Sequence, residues 1–326
     1  MKAAVLKEYG PPTNVTIEEW PTPEPSAEEV VIKVYATTVS AADWRLRSMD
    51  IPAGFRLMAK LFFGVRRPRK PILGTELCGE IVALGSGVSE FKVGDKVVAY
   101  TGGALGAHAE FVALKASTAI VPLPDTIPFE QAAALCFGGV TALDFLRTKA
   151  GLQAGEKVLV IGASGAVGSA AIQLAKFFGA EVTGVCSGAN LAMVQSLGAD
   201  RVIDYQEQNV LECDQNYDVI MDCVGAVTWS QAKTRLTRNG RLLMVVADLW
   251  QTLKAPLVSR KNAQRCVAGV AGELREDVAT LVELAARGKF TPFIDSIFPL
   301  AKIADAHARV QSRRKRGNVV VRIFKP

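Results

Sequence analysis

Near the middle of the chain, Gly162-Ala163-Ser164-Gly165-Ala166-Val167-Gly168 follows a short apolar run, 157–161, and leads into a stretch with apolar positions Val167, Ala171, Leu174 and Phe178. That pattern predicts a strand, a glycine-rich turn and a helix packed by one face on a sheet. Glycines let backbone approach an anion closely, and the first N–H groups of a helix, with its dipole, face that anion. The chemistry this suits is capture of a dinucleotide pyrophosphate by Gly162, Ala163, Ser164, Gly165, Ala166 and Val167. The strict G-x-G-x-x-G form has Ala163 in place of its first glycine.

The next strand, 182–185, bears on which dinucleotide is held. An acid at its end would grip both ribose hydroxyls and repel a 2′-phosphate. Cys186 and Ser187 stand there instead, and Glu181 lies at the opposite end. The reading leans to NADPH, with Ser187 as a hydrogen-bond donor, and leaves NADH open.

Metal chemistry finds little in the residue inventory. The cysteines are Cys78, Cys136, Cys186, Cys213, Cys223 and Cys266, with no C-x-x-C pair, and the histidines are only His108 and His307. Tetrahedral zinc needs closely spaced ligand pairs, so no metal site is expected. His307 reads as a partly exposed residue of a helix over 301–312, and His108 as loop before a strand over 109–114. Scattered thiols without a pairing pattern suit a reducing cytoplasm.

The elements that position these groups fall into two textures. Residues 1–125 show short β runs, 30–36, 80–84 and 96–100, separated by turn residues. Residues 126–272 alternate strand and helix, with a helix over 129–146 and strands at 157–161, 182–185, 201–203, 217–221, 241–246 and 265–270. That rhythm predicts βαβ units and a parallel sheet. Residues 273–326, ending in a strand at 318–323, return to the first domain. An apolar segment, 51–70, folds either as a flap over a cleft or as a peripheral helix buried on the core.

The chain has 326 residues, 49% of them hydrophobic, and a formal net charge of +6, which excludes a disordered tail or a disulfide miniprotein. Much of the surplus sits in two clusters, Arg66, Arg67, Arg69, Lys70 and Arg313, Arg314, Lys315, Arg316. They read as solvated surface, and nucleic acid is not expected as a partner. No apolar run spans a bilayer and the first residues are broken by charge, so neither a membrane nor export is expected.

Taken together, Gly74-Thr75-Glu76 with Gly79, the Gly94-Asp95 turn within 91–97, Gly139-Val140-Thr141-Ala142, the 162–168 turn, Leu197-Gly198-Ala199-Asp200 through Tyr205, and 218–225 resemble the medium-chain dehydrogenase/reductase superfamily, in its zinc-independent quinone oxidoreductase branch. The resemblance covers the whole chain. It implies an α/β fold, a Rossmann doubly wound parallel sheet plus a β-rich GroES-like catalytic domain. Zinc-dependent members carry Cys where Ser40 stands and His where Thr75 precedes Glu76. It also implies that Thr141 approaches the nicotinamide, the amides of Ala166 and Val167 the pyrophosphate, and the Val246 backbone the carboxamide. Tyr205 matches a tyrosine beside the 2′-phosphate in NADPH users. Asn190 and Asn318 stand where relatives often have lysine. A homodimer paired through strand 265–270 is implied too.

Such an enzyme needs a donor for charge developing on the acceptor oxygen. Ser40 and Tyr100 are the candidates, with Asp43 orienting a neighbouring base or arginine. In structural roles, Ser40 satisfies a turn, Tyr100 ends a strand and Asp43 joins a buried ion pair. The expected activity is NADPH-dependent, zinc-free hydride transfer to a quinone or α,β-unsaturated carbonyl. Alternatives are a zinc-free alcohol or aldehyde oxidoreductase, and a cofactor-gated RNA-binding protein with little turnover. No tyrosine has a lysine four residues on, which argues against the short-chain reductase pattern.

Overall fold

In the computed structural model, which describes residues 1–212, 215–261 and 263–324, the Val- and Ile-rich stretches at both ends of the chain become strands, and the middle alternates strand with helix. Cys213 lies outside the described residues. The first part contains β1 (Lys2–Leu6), β2 (Val15–Glu19), β3 (Glu29–Val39), α1 (Ala41–Ser48), α2 (Arg56–Phe63), β4 (Glu76–Leu84), β5 (Lys96–Tyr100), β6 (Phe111–Lys115), β7 (Ala119–Pro122) and α3 (Phe129–Ala133). The middle contains α4 (Cys136–Leu143), β8 (Lys157–Ile161), α5 (Ala166–Phe177), β9 (Glu181–Cys186), α6 (Leu191–Ser196), β10 (Arg201–Asp204), β11 (Tyr217–Asp222), α7 (Trp229–Ala232), β12 (Leu236–Met244), α8 (Leu249–Lys261) and β13 (Arg265–Ala268). The last part adds α9 (Arg275–Ala286), β14 (Ile294–Pro299), α10 (Ile303–Gln311) and β15 (Asn318–Arg322).

Two units result: Met1–Ile51 with Arg56–Phe137 and Glu273–Pro326, and Pro52–Phe55 with Gly138–Gly272. The first is built on a seven-stranded sheet ordered β14-β15-β3-β4-β5-β7, with β6 also on β3. Eleven-residue β3 is its hub, antiparallel to β15, β4 and β6. Val30, Ile32 and Val34 alternate inward and meet Leu77, Ile81, Val97 and Ala99 in one core. Residues 126–137 belong to this unit because Phe129 stacks on Tyr35 at 4.6 Å and Arg322 pairs with Glu130 at 2.7 Å.

The second unit is a parallel sheet ordered β10-β9-β8-β11-β12-β13. Counted from β8 this is 3-2-1-4-5-6, the doubly wound order whose ligands sit at the carboxyl ends of strands 1 and 4. Val158, Leu159 and Val160 are buried, as a strand covered on both faces requires. The expected strand 241–246 runs instead from Leu236 to Met244, and Val245 turns its N–H to the Asp222 carbonyl at 3.0 Å. The expected helix over 129–146 is divided into α3, α4 and a π-helical turn, Asp144–Lys149.

Candidate active site

The carboxyl ends of β8 and β11 carry the glycine turn. A Cβ on Gly162, whose φ is +81°, would come within 2.6 Å of Val224 Cγ1, and one on Gly168 within 2.2 Å of the Gly162 carbonyl. On Gly165 the nearest atom would be 3.5 Å away, an ordinary contact, so nothing crowds the space above it. No side chain caps α5 at Gly165. The N–H groups of Ala166 and Val167, orphaned as in every first helical turn, therefore border an open glycine cradle, which fits a pyrophosphate. Ser164 lies in the turn and Ala163 is packed inside.

Asp222 locks the facing loop. Its carboxylate accepts from the N–H groups of Val224, Gly225 and Val227 at 3.0, 2.9 and 2.9 Å. Burial pushes this carboxyl up, and the amide bonds act the other way. A Cβ on Gly225 would sit 3.5 Å from the Val246 carbonyl, which places Val246 beside this loop. Thr141 is buried on α4, one turn after Gly138. A Cβ there would meet the Ala166 carbonyl at 2.6 Å, so that face of α4 passes against the start of α5.

At the end of β9, Asn190 Nδ2 donates to Ser164 Oγ and to Ser187 Oγ, each at 3.2 Å. Both oxygens accept, which leaves both hydroxyl protons for an anion. Tyr205 is 58% exposed and its N–H donates to the Cys186 carbonyl at 3.1 Å. The strand end is not free of acid, however. Asp204 lies in register with Cys186 on β10, and a Cβ on Gly188 would be 2.5 Å from its Oδ2. Counting along β9 misses this carboxylate because parallel pairing, not chain order, brings it there. Burial first and its charge second push the Cys186 thiol up to about 11.

In the first unit, β3 and β5 finish where β4 and β15 begin, so Thr38, Ser40, Thr75, Glu76, Tyr100 and Asn318 share one end of the sheet. All six are buried. Ser40 caps α1 and donates its proton to Asp43 Oδ2 at 2.6 Å, while the Asp43 N–H donates back to Ser40 Oγ at 3.3 Å. The other Asp43 oxygen accepts from the Gly74 N–H at 2.9 Å. Ser40 thus behaves as the turn-satisfying residue. The expectation that Asp43 orients a base or arginine gives way, because its partners are amides and a hydroxyl.

Glu76 is the residue that sequence reasoning left out of the site. One carboxylate oxygen accepts from Thr38 Oγ1, the other from the Phe137 N–H at 2.6 Å. Burial outweighs these bonds and pushes the carboxyl up to about 7. Tyr100 is its cross-strand partner. Burial, then the charge of Glu76, holds the Tyr100 phenol well above its usual ionisation, so it keeps its proton. Among the described residues buried Thr75 Oγ1 has no hydrogen-bond partner, and the Tyr100 hydroxyl makes no hydrogen bond.

Asn318 spends its side-chain amide, at 3.1 Å, and its N–H, at 2.8 Å, on the Phe293 carbonyl. Nearby Lys315 is not solvated surface like Arg313, Arg314 and Arg316. It is half-buried, donates to the Gly317 carbonyl, and burial lowers its ammonium to about 8.

His108 lies, as expected, in the loop before β6, whereas the expectation of a partly exposed His307 fails. His307 is 0% exposed, and its ring lies 5.7 Å from that of His108, edge to face. His108, also buried, places Nε2 2.8 Å from the Thr38 carbonyl. Position 307 is four after Ile303 and three before Val310, so it falls on the inward face of α10. That spacing was visible in the sequence. Burial lowers the His307 imidazole well below its ordinary range, and His108 and Arg47 add to this.

A doubly wound sheet with an open glycine cradle at its switch point, in a chain whose first, β-rich unit carries buried hydroxyls, defines a dinucleotide-fold oxidoreductase. Comparison with known proteins makes this particular. Residues 26–125 match the alcohol dehydrogenase GroES-like domain, and residues 197–321 match the zinc-binding dehydrogenase family, a match that begins beyond Ser40 and Thr75. The chain is 34% identical over 317 residues to the chloroplast envelope quinone oxidoreductase homolog of Arabidopsis thaliana, covering 92% of each. It is 31% identical over 329 residues to a mitochondrial NAD(P)H oxidoreductase of Bos taurus, covering 90% of this chain and 82% of that one. The solved quinone oxidoreductase of Coxiella burnetii is similar with a TM-score of 0.87 over 99% of both chains, at 29% identity. The chain belongs to the medium-chain dehydrogenase/reductase superfamily and is an oxidoreductase of that family.

Proposed function

We propose that the protein reduces quinones or α,β-unsaturated carbonyls with NADPH and without zinc. The observation that carries this reading is the polar end of the β sheet. Thr75 stands where zinc-using members place an imidazole, and Ser40 where they place a thiolate. There Ser40 is tied to Asp43, while Thr75 Oγ1 is buried without a partner among the described residues and the Tyr100 hydroxyl makes no hydrogen bond among them. Such a set suits hydrogen bonding to an acceptor oxygen rather than metal ligation.

The nicotinamide, when bound, supplies the hydride. The chain's own work is holding and proton supply. The Ala166 and Val167 amides hold the pyrophosphate; Ser164 and Ser187, oriented by Asn190, and Tyr205 receive the 2′-phosphate. Thr141 and the Val246 carbonyl take the nicotinamide end. Tyr100 donates to the oxygen on which negative charge develops, and Glu76, ionising near 7, is the proton reservoir beside it. The relatives' names, quinone oxidoreductase and NAD(P)H oxidoreductase, agree with this substrate and cofactor class. The protein works as a homodimer joined at the edge strand β13, in a reducing cytoplasm where its five described cysteines stay free.

The test is NADPH oxidation with a panel of 1,4-quinones, 2-alkenals and saturated aldehydes. Turnover concentrated on quinones and 2-alkenals is expected. Turnover confined to saturated aldehydes would favour an alcohol oxidoreductase, and none with any acceptor would refute the reading.

A further inference from the structure

Helix α2 inverts the usual arrangement of a surface helix. Ala59 is buried and Phe63 packs on the core around Leu6, Trp44 and Leu73, so their face is the inward one. The outward face carries Leu57, Met58, Leu61 and Phe62 at 71%, 49%, 57% and 72% exposure, with Val65 just beyond at 61%. These positions form one helical stripe, pointed away from the core that would ordinarily cover it. The expectation of a peripheral helix with its apolar stripe buried is therefore corrected.

Cations border the stripe. Between Asp50 and Glu76 the chain carries Arg56, Lys60, Arg66, Arg67, Arg69 and Lys70 and no acidic residue. Among the described residues none of the six forms an ion pair. Arg69 and Lys70 reach only the carbonyls of Phe62 and Ala104. The turn that presents them is firmly built. The Tyr9 hydroxyl donates to the Phe63 and Gly64 carbonyls at 3.0 Å each. Gly64, at φ +118°, leaves no room for a Cβ, which would lie 2.1 Å from the Arg67 carbonyl.

We propose that this face docks reversibly on the surface of an anionic lipid bilayer, with the stripe at the acyl boundary and the six cations among the headgroups. The stripe alone would suit any apolar partner; six unpaired cations in a segment that contains no acid select a negatively charged, laterally continuous surface. This departs from the expectation of no membrane partner. No helix among the described residues is long and apolar enough to cross a bilayer, and a helix lying in the interface does not need that length. The docking stands apart from the reductase reading, since vesicle binding requires no turnover.

Flotation of the full-length protein with phosphatidylcholine vesicles, with and without phosphatidylglycerol, tests it. Binding is expected only with phosphatidylglycerol and at low salt. The double variants Leu61→Ser/Phe62→Ser and Arg66→Gln/Arg67→Gln should each weaken it by about tenfold or more, with melting temperature unchanged. No binding to the anionic vesicles, or binding undiminished in both variants, would overturn the proposal. So would a wild-type dimer that Leu61→Ser/Phe62→Ser converts to monomer, since a second copy would then cover the stripe.

Discussion

The hydroxyl of Tyr100 is the group most exposed to a simple test, because it is an unpartnered phenol kept protonated by its surroundings. Tyr100→Phe should lower kcat for 2-alkenals by about tenfold to a hundredfold, the scale of losing one positioned donor. KM should change little. An unchanged kcat would hand proton delivery to solvent. Asp204 makes a second residue-scale claim. Asp204→Asn removes the carboxylate next to Gly188 at the end of β9 and should shift kcat/KM toward NADPH over NADH by about tenfold, or ~1.4 kcal/mol; a shift toward NADH would place the adenosine ribose elsewhere. Two buried groups should oppose each other with pH. Glu76, raised to about 7 in the fold from 4.5, makes stability fall as pH rises between those values. His307, lowered well below 6.5, makes stability fall as pH drops through 6.5. Each contributes a slope of about 1.4 kcal/mol per pH unit, opposite in sign where the windows overlap. Urea melts should show the Glu76→Gln variant gaining on wild type from pH 4.5 to 7, and His307→Asn gaining as pH falls below 6.5. Parallel pH curves for variants and wild type would contradict both.

Elements separate what holds the fold from what holds the ligand. Alanine at Gly168 would press on the Gly162 carbonyl, and overpacking of that kind costs about 1–3 kcal/mol. Alanine at Gly165 meets only ordinary contact, at a φ of −80° that any residue adopts. Gly165→Ala should therefore melt like wild type and yet bind NADPH at least about tenfold more weakly, because its methyl enters the space the pyrophosphate needs. Equal NADPH affinity by fluorescence titration would remove the cradle from the site. The strand, turn and helix that make this cradle were legible in sequence because their signals are local: an apolar run, three glycines, and spacings of 3 and 4. Residues 96–100 and 157–161 emerge as strands with those bounds. What was not legible depends on register between distant segments. Asp204 reaches the end of β9 by parallel pairing, Glu76 meets Tyr100 across two antiparallel strands, and Ser40 commits its proton to a helix cap.

At the scale of the whole molecule, the sheet of the second unit ends in β13, whose outer edge is unpaired among the described residues. An open edge favours pairing with a second copy. Light scattering at micromolar concentration should give a dimer, and Val267→Pro, which removes a strand N–H and fixes φ, should weaken it; a monomeric wild type would contradict the arrangement. The central claim is hydride transfer from NADPH to an electron-poor acceptor by a site built of hydroxyls. The most direct measurement is deuterium transfer from NADPH labelled at nicotinamide C4 to a 2-alkenal, using full-length protein dialysed against a zinc chelator. Deuterium is expected at the β-carbon of the saturated product, at an undiminished rate. Unlabelled product, or turnover restored only by added zinc, would contradict it.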